Sequence, residues 1–242
     1  MTIKNFLKIK INQFLNKFGI NLNRYNLNES FEFRFNYFLE KKEIDCVFDI
    51  GANTGQYSKF LRGIGYKKKI ISFEPLSDAF NQLKKNSISD KSWKIYNYGV
   101  GEKNEEININ ISENSYSSSI LNMNKEHLYS APDSRYIGKE KIKIVSVSDF
   151  IKEKNLNYKK IFLKMDVQGY EHKILDGIND FKNIEGIQVE MSINSLYENQ
   201  IIFEDLYKKI KKIGYELWDF QRGFSDENSG KILQLDGIFF KS

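Results

Sequence analysis

Four apolar runs in this chain each end in a carboxylate, and glycines follow the first of them. The first reads Val47-Phe48-Asp49-Ile50-Gly51-Ala52-Asn53-Thr54-Gly55-Gln56. The second is Ile70-Ile71-Ser72-Phe73-Glu74-Pro75, and the third runs from Ile161 to Met165, Asp166, Val167, Gln168, Gly169, Tyr170 and Glu171. The fourth is Ile187-Gln188-Val189-Glu190-Met191. Gly51 and Gly55 allow a tight turn and a close backbone approach to a ligand. A strand, a glycine loop and a helix in that order form a nucleotide-cofactor loop at the carboxyl end of a first strand.

The ligand can be argued from charge. A dinucleotide loop needs G-x-G-x-x-G so that a pyrophosphate can approach the backbone. Here Asn53 takes the middle position and Gln56 stands where a third glycine would be. Asp49, just ahead of the first glycine, would repel a pyrophosphate and suit a cation. S-adenosylmethionine (SAM) carries a sulfonium and an ammonium and no phosphate, so these residues favour it over NAD. Glu74 follows Asp49 by about the offset at which an acid accepts hydrogen bonds from an adenosine ribose, and Pro75 stops its strand. Four acids at one carboxyl edge exceed what folding alone requires.

The elements that must position these acids follow from periodicity. Strands are expected at 46–50, 69–73, 93–98, 161–165, 186–190, 215–219 and 237–240, with helices over 54–64, 77–87, 170–178 and 199–213. Their alternation predicts an α/β fold with a parallel sheet covered by helices on both faces. Residues 105–112 and 141–147 alternate strictly and read as half-exposed strands inserted between the third and fourth core strands. Residues 221–234 have no apolar helical face, so they suit a loop joining antiparallel strands rather than a crossover. The sheet is therefore expected to be mostly parallel, with one antiparallel strand arriving last.

Ahead of this lies a segment of different character. Residues 1–28 hold Lys4, Lys8, Lys10, Lys17 and Arg24 and no acid, so the whole net charge of +5 resides there. Leu7, Ile11, Phe14, Leu15 and Phe18 recur at helical spacing, and Gly19 stops the pattern. Such a basic amphipathic helix either packs on the main domain or binds a membrane surface or a partner. Residues 31–40 suggest a second helix, although Phe31, Phe33 and Phe35 also alternate as a strand would. The expected division is an N-terminal helical extension over 1–44 and one catalytic domain over 45–242.

Composition excludes several classes. Hydrophobic residues make up 40% and charged residues 29%, which is globular rather than disordered. The lone Cys46 lies in an apolar run, reads as a buried inert thiol, and cannot form an internal disulfide. No apolar stretch approaches a membrane span, and the N-terminus lacks a signal-peptide core. A cytoplasmic location is expected. Only 5 of the 37 basic residues are Arg, which argues against nucleic acid as the partner.

VFDIGANTGQYSKFLR, ISFEP, IFLKMDVQGYEHKILDGI, IQVEM and LQLDGIFF together resemble the FkbM family of SAM-dependent methyltransferases. The resemblance covers about residues 45–240 and implies a class I methyltransferase Rossmann-like sheet of seven strands. It implies that Asp49, Gly51, Asn53 and Gly55 hold the methionine portion of SAM and that Glu74 binds the ribose. It puts Asn97, Gly99 and Val100 of the NYGV stretch near the adenine and Asp166 beside the transferred methyl group. Family members methylate hydroxyls of sugars, glycolipids or polyketides, so a saccharide acceptor is expected, with a place in polysaccharide biosynthesis. Where the family's turn carries Glu, this chain has Gln168, which keeps the hydrogen-bonding shape and loses the charge.

That leaves Asp166, Glu190 and Glu171 as candidate bases for the acceptor hydroxyl. The rival route is a divalent metal on Asp166 and Glu190, which the spacing does not require. His127 and His172 are isolated, and no two-His metal site is expected. Residues 112–138 form a long polar insertion with Tyr116, Tyr129 and Tyr136, either an acceptor lid or a mobile surface loop. An RNA methyltransferase, another small-molecule methyltransferase and a non-catalytic SAM-fold binding protein are the alternatives.

Overall fold

A computed structural model describes residues 3–242. In chain order the elements are α1 (Ile3–Leu15), α2 (Phe31–Lys41), β1 (Cys46–Ile50), α3 (Gln56–Gly63), β2 (Lys69–Phe73), α4 (Ser77–Ser87), β3 (Trp93–Tyr96), β4 (Gly99–Gly101) and β5 (Glu105–Ser112). Then follow α5 (Lys125–Ser130), β6 (Tyr136–Ser146), α6 (Val147–Glu153), β7 (Ile161–Met165), α7 (Glu171–Asp176), β8 (Ile184–Ser192), α8 (Phe203–Lys212), β9 (Tyr215–Arg222) and β10 (Gln234–Lys241).

Seven strands form one sheet in the order β3-β2-β1-β7-β8-β10-β9. β10 runs antiparallel to both its neighbours and inserts between β8 and β9, and the other pairings are parallel. The order reverses between β1 and β7, the switch point at which open α/β sheets bind ligands. This is the mixed fold expected, down to the antiparallel strand that arrives last. β1 and β7 are buried along their whole length, as central parallel strands covered on both faces must be.

The two alternating segments become β5 and β6, which with β4 make a separate sheet in the order β4-β6-β5. Its Ile109, Ile142 and Ile144 pack on Leu76 and Ala79 at the start of α4. The alternation is needed because only one face of this sheet is covered.

Residues 31–41 resolve as helix. Ser30 caps α2 by accepting from the backbone N–H of Phe33, and Phe35 and Leu39 are buried. Phe35 meets Phe162 of β7 edge-on at 5.4 Å, and Phe38 meets Phe240 of β10 at 6.0 Å. A boundary at residue 44 thus falls inside one packed core, and α2 is built together with the sheet.

α1 behaves otherwise. Its apolar side chains Leu7, Ile11 and Phe14 are exposed, so the expectation that this face packs on the main domain is not met. The side chain of Asn12 instead holds the returning chain, donating to Leu22 O at 3.0 Å and accepting from Leu22 N at 2.8 Å. No helix among the described residues is long and apolar enough to cross a membrane.

Truncating the aromatic anchor of α2 tests whether this helix is part of the fold. Phe35→Ala is expected to cost about 3–5 kcal/mol, read as a lower urea midpoint. Phe14→Ala should leave the midpoint within about 0.5 kcal/mol of the parent.

Candidate functional site

Behind the carboxyl edge lies a buried row of polar side chains. Strand register aligns Ser72 with Asp49, Asp49 with Lys164 and Lys164 with Gln188. Asp49 is fully buried and accepts from Ser58 Oγ at 2.8 Å and from Ser72 Oγ at 3.1 Å. Lys164 Nζ lies 3.5 Å from Asp49 Oδ1, 3.5 Å from Asp166 Oδ2 and 3.2 Å from the carbonyl of Gly51. Burial opposes its charge, but Asp166 and Asp49 outweigh burial and push the ammonium above its ordinary range. Sequence reasoning missed Lys164. The available signal was one charge in each of two apolar pentads, at the same position in both.

The glycine loop wraps over this row. Gly51 has φ +75°, and a Cβ there would sit 1.9 Å from the carbonyl oxygen of Asp166. Gly55 has φ +92°, and a Cβ there would meet the Trp93 ring at 2.5 Å. Both positions therefore need glycine for conformation and for space. The loop's next support is Glu74, whose Oε2 accepts from Asn53 N at 2.8 Å and whose Oε1 accepts from Leu76 N at 2.9 Å. Burial raises the Glu74 carboxyl to about 7 despite these two donors. Asn97 donates to the carbonyls of Glu74 and Pro75, at 2.9 Å each, and so fixes the turn after β2.

The second half of the site centres on Gln168, which has φ +56°. Its Nε2 donates to Asp166 Oδ1 at 3.0 Å and to Glu190 Oε2 at 2.9 Å, and its Oε1 accepts from the Tyr197 hydroxyl at 2.6 Å. Gln234 Nε2 also donates to Glu190 Oε2, at 2.6 Å. Burial first, and then Asp166 and Asp236, raise the Glu190 carboxyl well above its ordinary range. A glutamate at position 168 would put a third carboxylate between two others. Glu171 turns away from this group. It is buried, and its Oε1 accepts from the backbone of Val167 and Gly169, so it shapes the turn.

These pieces enclose one cavity of about 380 Å³. Gly51, Asn53, Glu74, Pro75, Gly99, Val100, Asp166 and Glu190 line it, together with Gln168. Asp49, Gly55, Asn97 and Glu171 do not; Asn97 supports Glu74 and Pro75, and Glu171 supports Val167, which do. Three carboxylates line the cavity and no Lys or Arg does. That donor set fits a cationic ligand without phosphate, as SAM is. Ile109, Ile142 and Ile144 of the small sheet supply an apolar wall beside Gly99 and Val100. Among the described residues, no group of three or more His, Cys, Asp or Glu is placed to hold a metal ion.

The 112–138 insertion roofs the cavity. Ser115 Oγ accepts from Asn53 Nδ2 at 3.3 Å, the Tyr116 hydroxyl from Gln56 Nε2 at 3.2 Å, and Ser119 Oγ donates to the Gln168 carbonyl at 2.7 Å. Of its three tyrosines only Tyr116 lines the cavity, while Tyr136 donates to Leu121 O and Tyr129 is exposed. His127 is buried, stacks on Phe224 and meets Ser134 Oγ through Nε2. Burial lowers its imidazole to about 4, so it is neutral at physiological pH. His172 lies outside the cavity lining.

The family model for the methyltransferase FkbM domain matches residues 49–217, more than two thirds of the chain. The crystal structure of methyltransferase FkbM from Methylobacillus flagellatus KT is similar at a TM-score of 0.50 and 16% identity, covering 81% of this chain. This chain spans 44% of that one. The methyltransferase domain of bacterial CtHen1-C matches with a TM-score of 0.43 and 13% identity, over 90% of this chain and 100% of its own. An rRNA methylase from Streptococcus thermophilus matches with a TM-score of 0.43 and 12% identity, over 86% of this chain and 94% of its own. No curated protein matches the sequence.

Two measurements test the electrostatics. Lys164→Met should cost about 3–5 kcal/mol in denaturant unfolding, because it leaves Asp49 buried without its counter-charge. The pH dependence has a definite sign. Glu74 and Glu171 are raised from 4.5 to about 7 in the folded chain, so the fold holds protons that the unfolded chain has released. Their contribution is fully present below about 4.5 and is lost as the pH rises to about 7. The thermal midpoint of Glu171→Gln should therefore fall less over that window than that of the parent.

Proposed function

Because the chain belongs to the FkbM methyltransferase family, we propose that this SAM-dependent methyltransferase transfers the methyl group to a hydroxyl of a sugar in a glycan or glycolipid. The observation that carries this reading is the cavity lined by Glu74, Asp166 and Glu190 together and by no Lys or Arg. Glu74 would hold the ribose, Gly51 and Asn53 the methionine portion, and Ile109, Ile142 and Ile144 would flank the adenine beside Gly99 and Val100. Asp166 lies beside the reacting end.

SAM supplies an already activated methyl group, so the protein's task is alignment and proton removal. The acceptor oxygen forms the new bond to the methyl carbon as the sulfur–carbon bond breaks. The hydroxyl proton passes to the carboxylate pair. Glu190 suits that task because its raised basicity brings it nearer to the weakly acidic hydroxyl. Asp166 offers the more accessible oxygen, with 38% of its side chain exposed. Gln168 keeps the two carboxylates in one place by donating to both. No metal is needed in this scheme.

Calorimetric titration with S-adenosylhomocysteine tests the nucleoside half. Micromolar binding is expected, lost by about tenfold or more in Glu74→Ala. Affinity should strengthen as the pH rises through about 7, where Glu74 ionises and becomes a better acceptor for ribose hydroxyls. Asp166→Asn tests the reacting half in a screen of saccharide acceptors. Turnover should fall by about 10²–10⁴ with S-adenosylhomocysteine affinity nearly unchanged, and turnover of the parent should be insensitive to EDTA. Equal binding of NAD, or full turnover by Asp166→Asn, would defeat the respective assignments.

A further inference from the structure

The segment ahead of α2 carries surface that the catalytic fold does not use. Leu7, Ile11 and Phe14 project from α1, and Phe18, Ile20 and Leu22 follow on the returning chain, all exposed. Phe14 is 61% and Phe18 66% exposed, and the two rings meet edge-on at 5.5 Å. Leaving two phenylalanines and four aliphatic side chains in water is unfavourable unless something covers them.

The segment is nonetheless ordered by its own contacts. The Asn12 amide clamps Leu22 from both sides, and Lys8 pairs with Glu29. Arg34 donates to Leu27 O at 3.2 Å and pairs with Asp219 of β9 at 2.7 Å, which joins the segment to the sheet. It is thus a built platform, held at a fixed place on the body.

Its charge selects the occupant. Residues 1–28 carry five basic side chains and no acid, whereas the rest of the chain is balanced. A second copy would oppose lysines to lysines across a twofold contact, which penalises self-association. An anionic bilayer meets both properties at once, taking apolar side chains into the headgroup boundary and cations at its surface. We propose that the platform formed by residues 7–22 docks the protein on an anionic phospholipid surface. This would bring the cavity to acceptors presented at a membrane, a consequence that the methyl-transfer reading does not require.

The test is co-sedimentation of the whole chain with phosphatidylcholine vesicles with and without phosphatidylglycerol. Binding is expected only with phosphatidylglycerol, should fall as salt is raised, and should weaken by about tenfold or more in the Phe14→Ser, Phe18→Ser double variant. S-adenosylhomocysteine affinity should be the same in both proteins, which shows that the fold and the cofactor site survive. Absence of vesicle binding, or equal binding by the double variant, would overturn the proposal. So would concentration-dependent dimerisation of the parent that the double variant loses, since that would assign the face to a second copy. Failure here leaves the methyl-transfer reading standing, because that reading is tested on soluble ligands.

Discussion

The site depends on one buried ammonium. Lys164 lies between Asp49 and Asp166 and also reaches the carbonyl of Gly51. It thereby ties β1 to β7 at the point where the strand order reverses. Without it, the two carboxylates would be unpaired neighbours at the edge of a low-dielectric core, and each would disfavour the other's charge. The hydrogen-bonded row continues to both sides. Trp93 Nε1 and Ser58 Oγ meet Ser72 on one flank, and Tyr57 donates to Gln188 on the other. A polar row inside a parallel sheet is stable only when its members satisfy one another. This one does so with few loose ends.

On that base the chain divides its carboxylates by environment. Asp49 is neutralised from behind and works as framework. Glu171 is spent on the backbone of a turn. Glu74, Asp166 and Glu190 line the cavity, and two of these are raised by burial. Gln168 joins the last two without adding a charge. The departure from the family's glutamate therefore has a physical reading, since the amide donates to two carboxylates where an acid could only repel them.

The sheet was legible in the sequence because its central strands are short apolar runs that end in acids, and crossover rules leave few ways to connect them. β10 was legible because residues 221–234 cannot form a crossover helix. β4, α5 and α6 were missed because three to seven residues carry too little periodicity. The role expected of Asp49 was altered by Lys164, which lies 115 positions away in sequence and becomes a neighbour only through strand register. Asn97 and Gly55 fell in the right region but one layer back from the cavity, a distinction that no spacing encodes. The apolar face of α1 was visible as a pattern, whereas its exposure was not, because helical periodicity reports a face and not what covers it.

The roof of the cavity is fastened by main-chain bonds from Asn124 N to Leu196 O and from Glu198 N to Asn122 O, and over the floor by single side-chain bonds. Ser115, Tyr116 and Ser119 reach Asn53, Gln56 and the Gln168 carbonyl through single hydrogen bonds, each of a kind that is modest in net energy. Two of these bonds reach the glycine loop and the start of α3 and the third reaches the Gln168 turn, so one insertion ties together two parts of the cavity wall that are far apart in sequence.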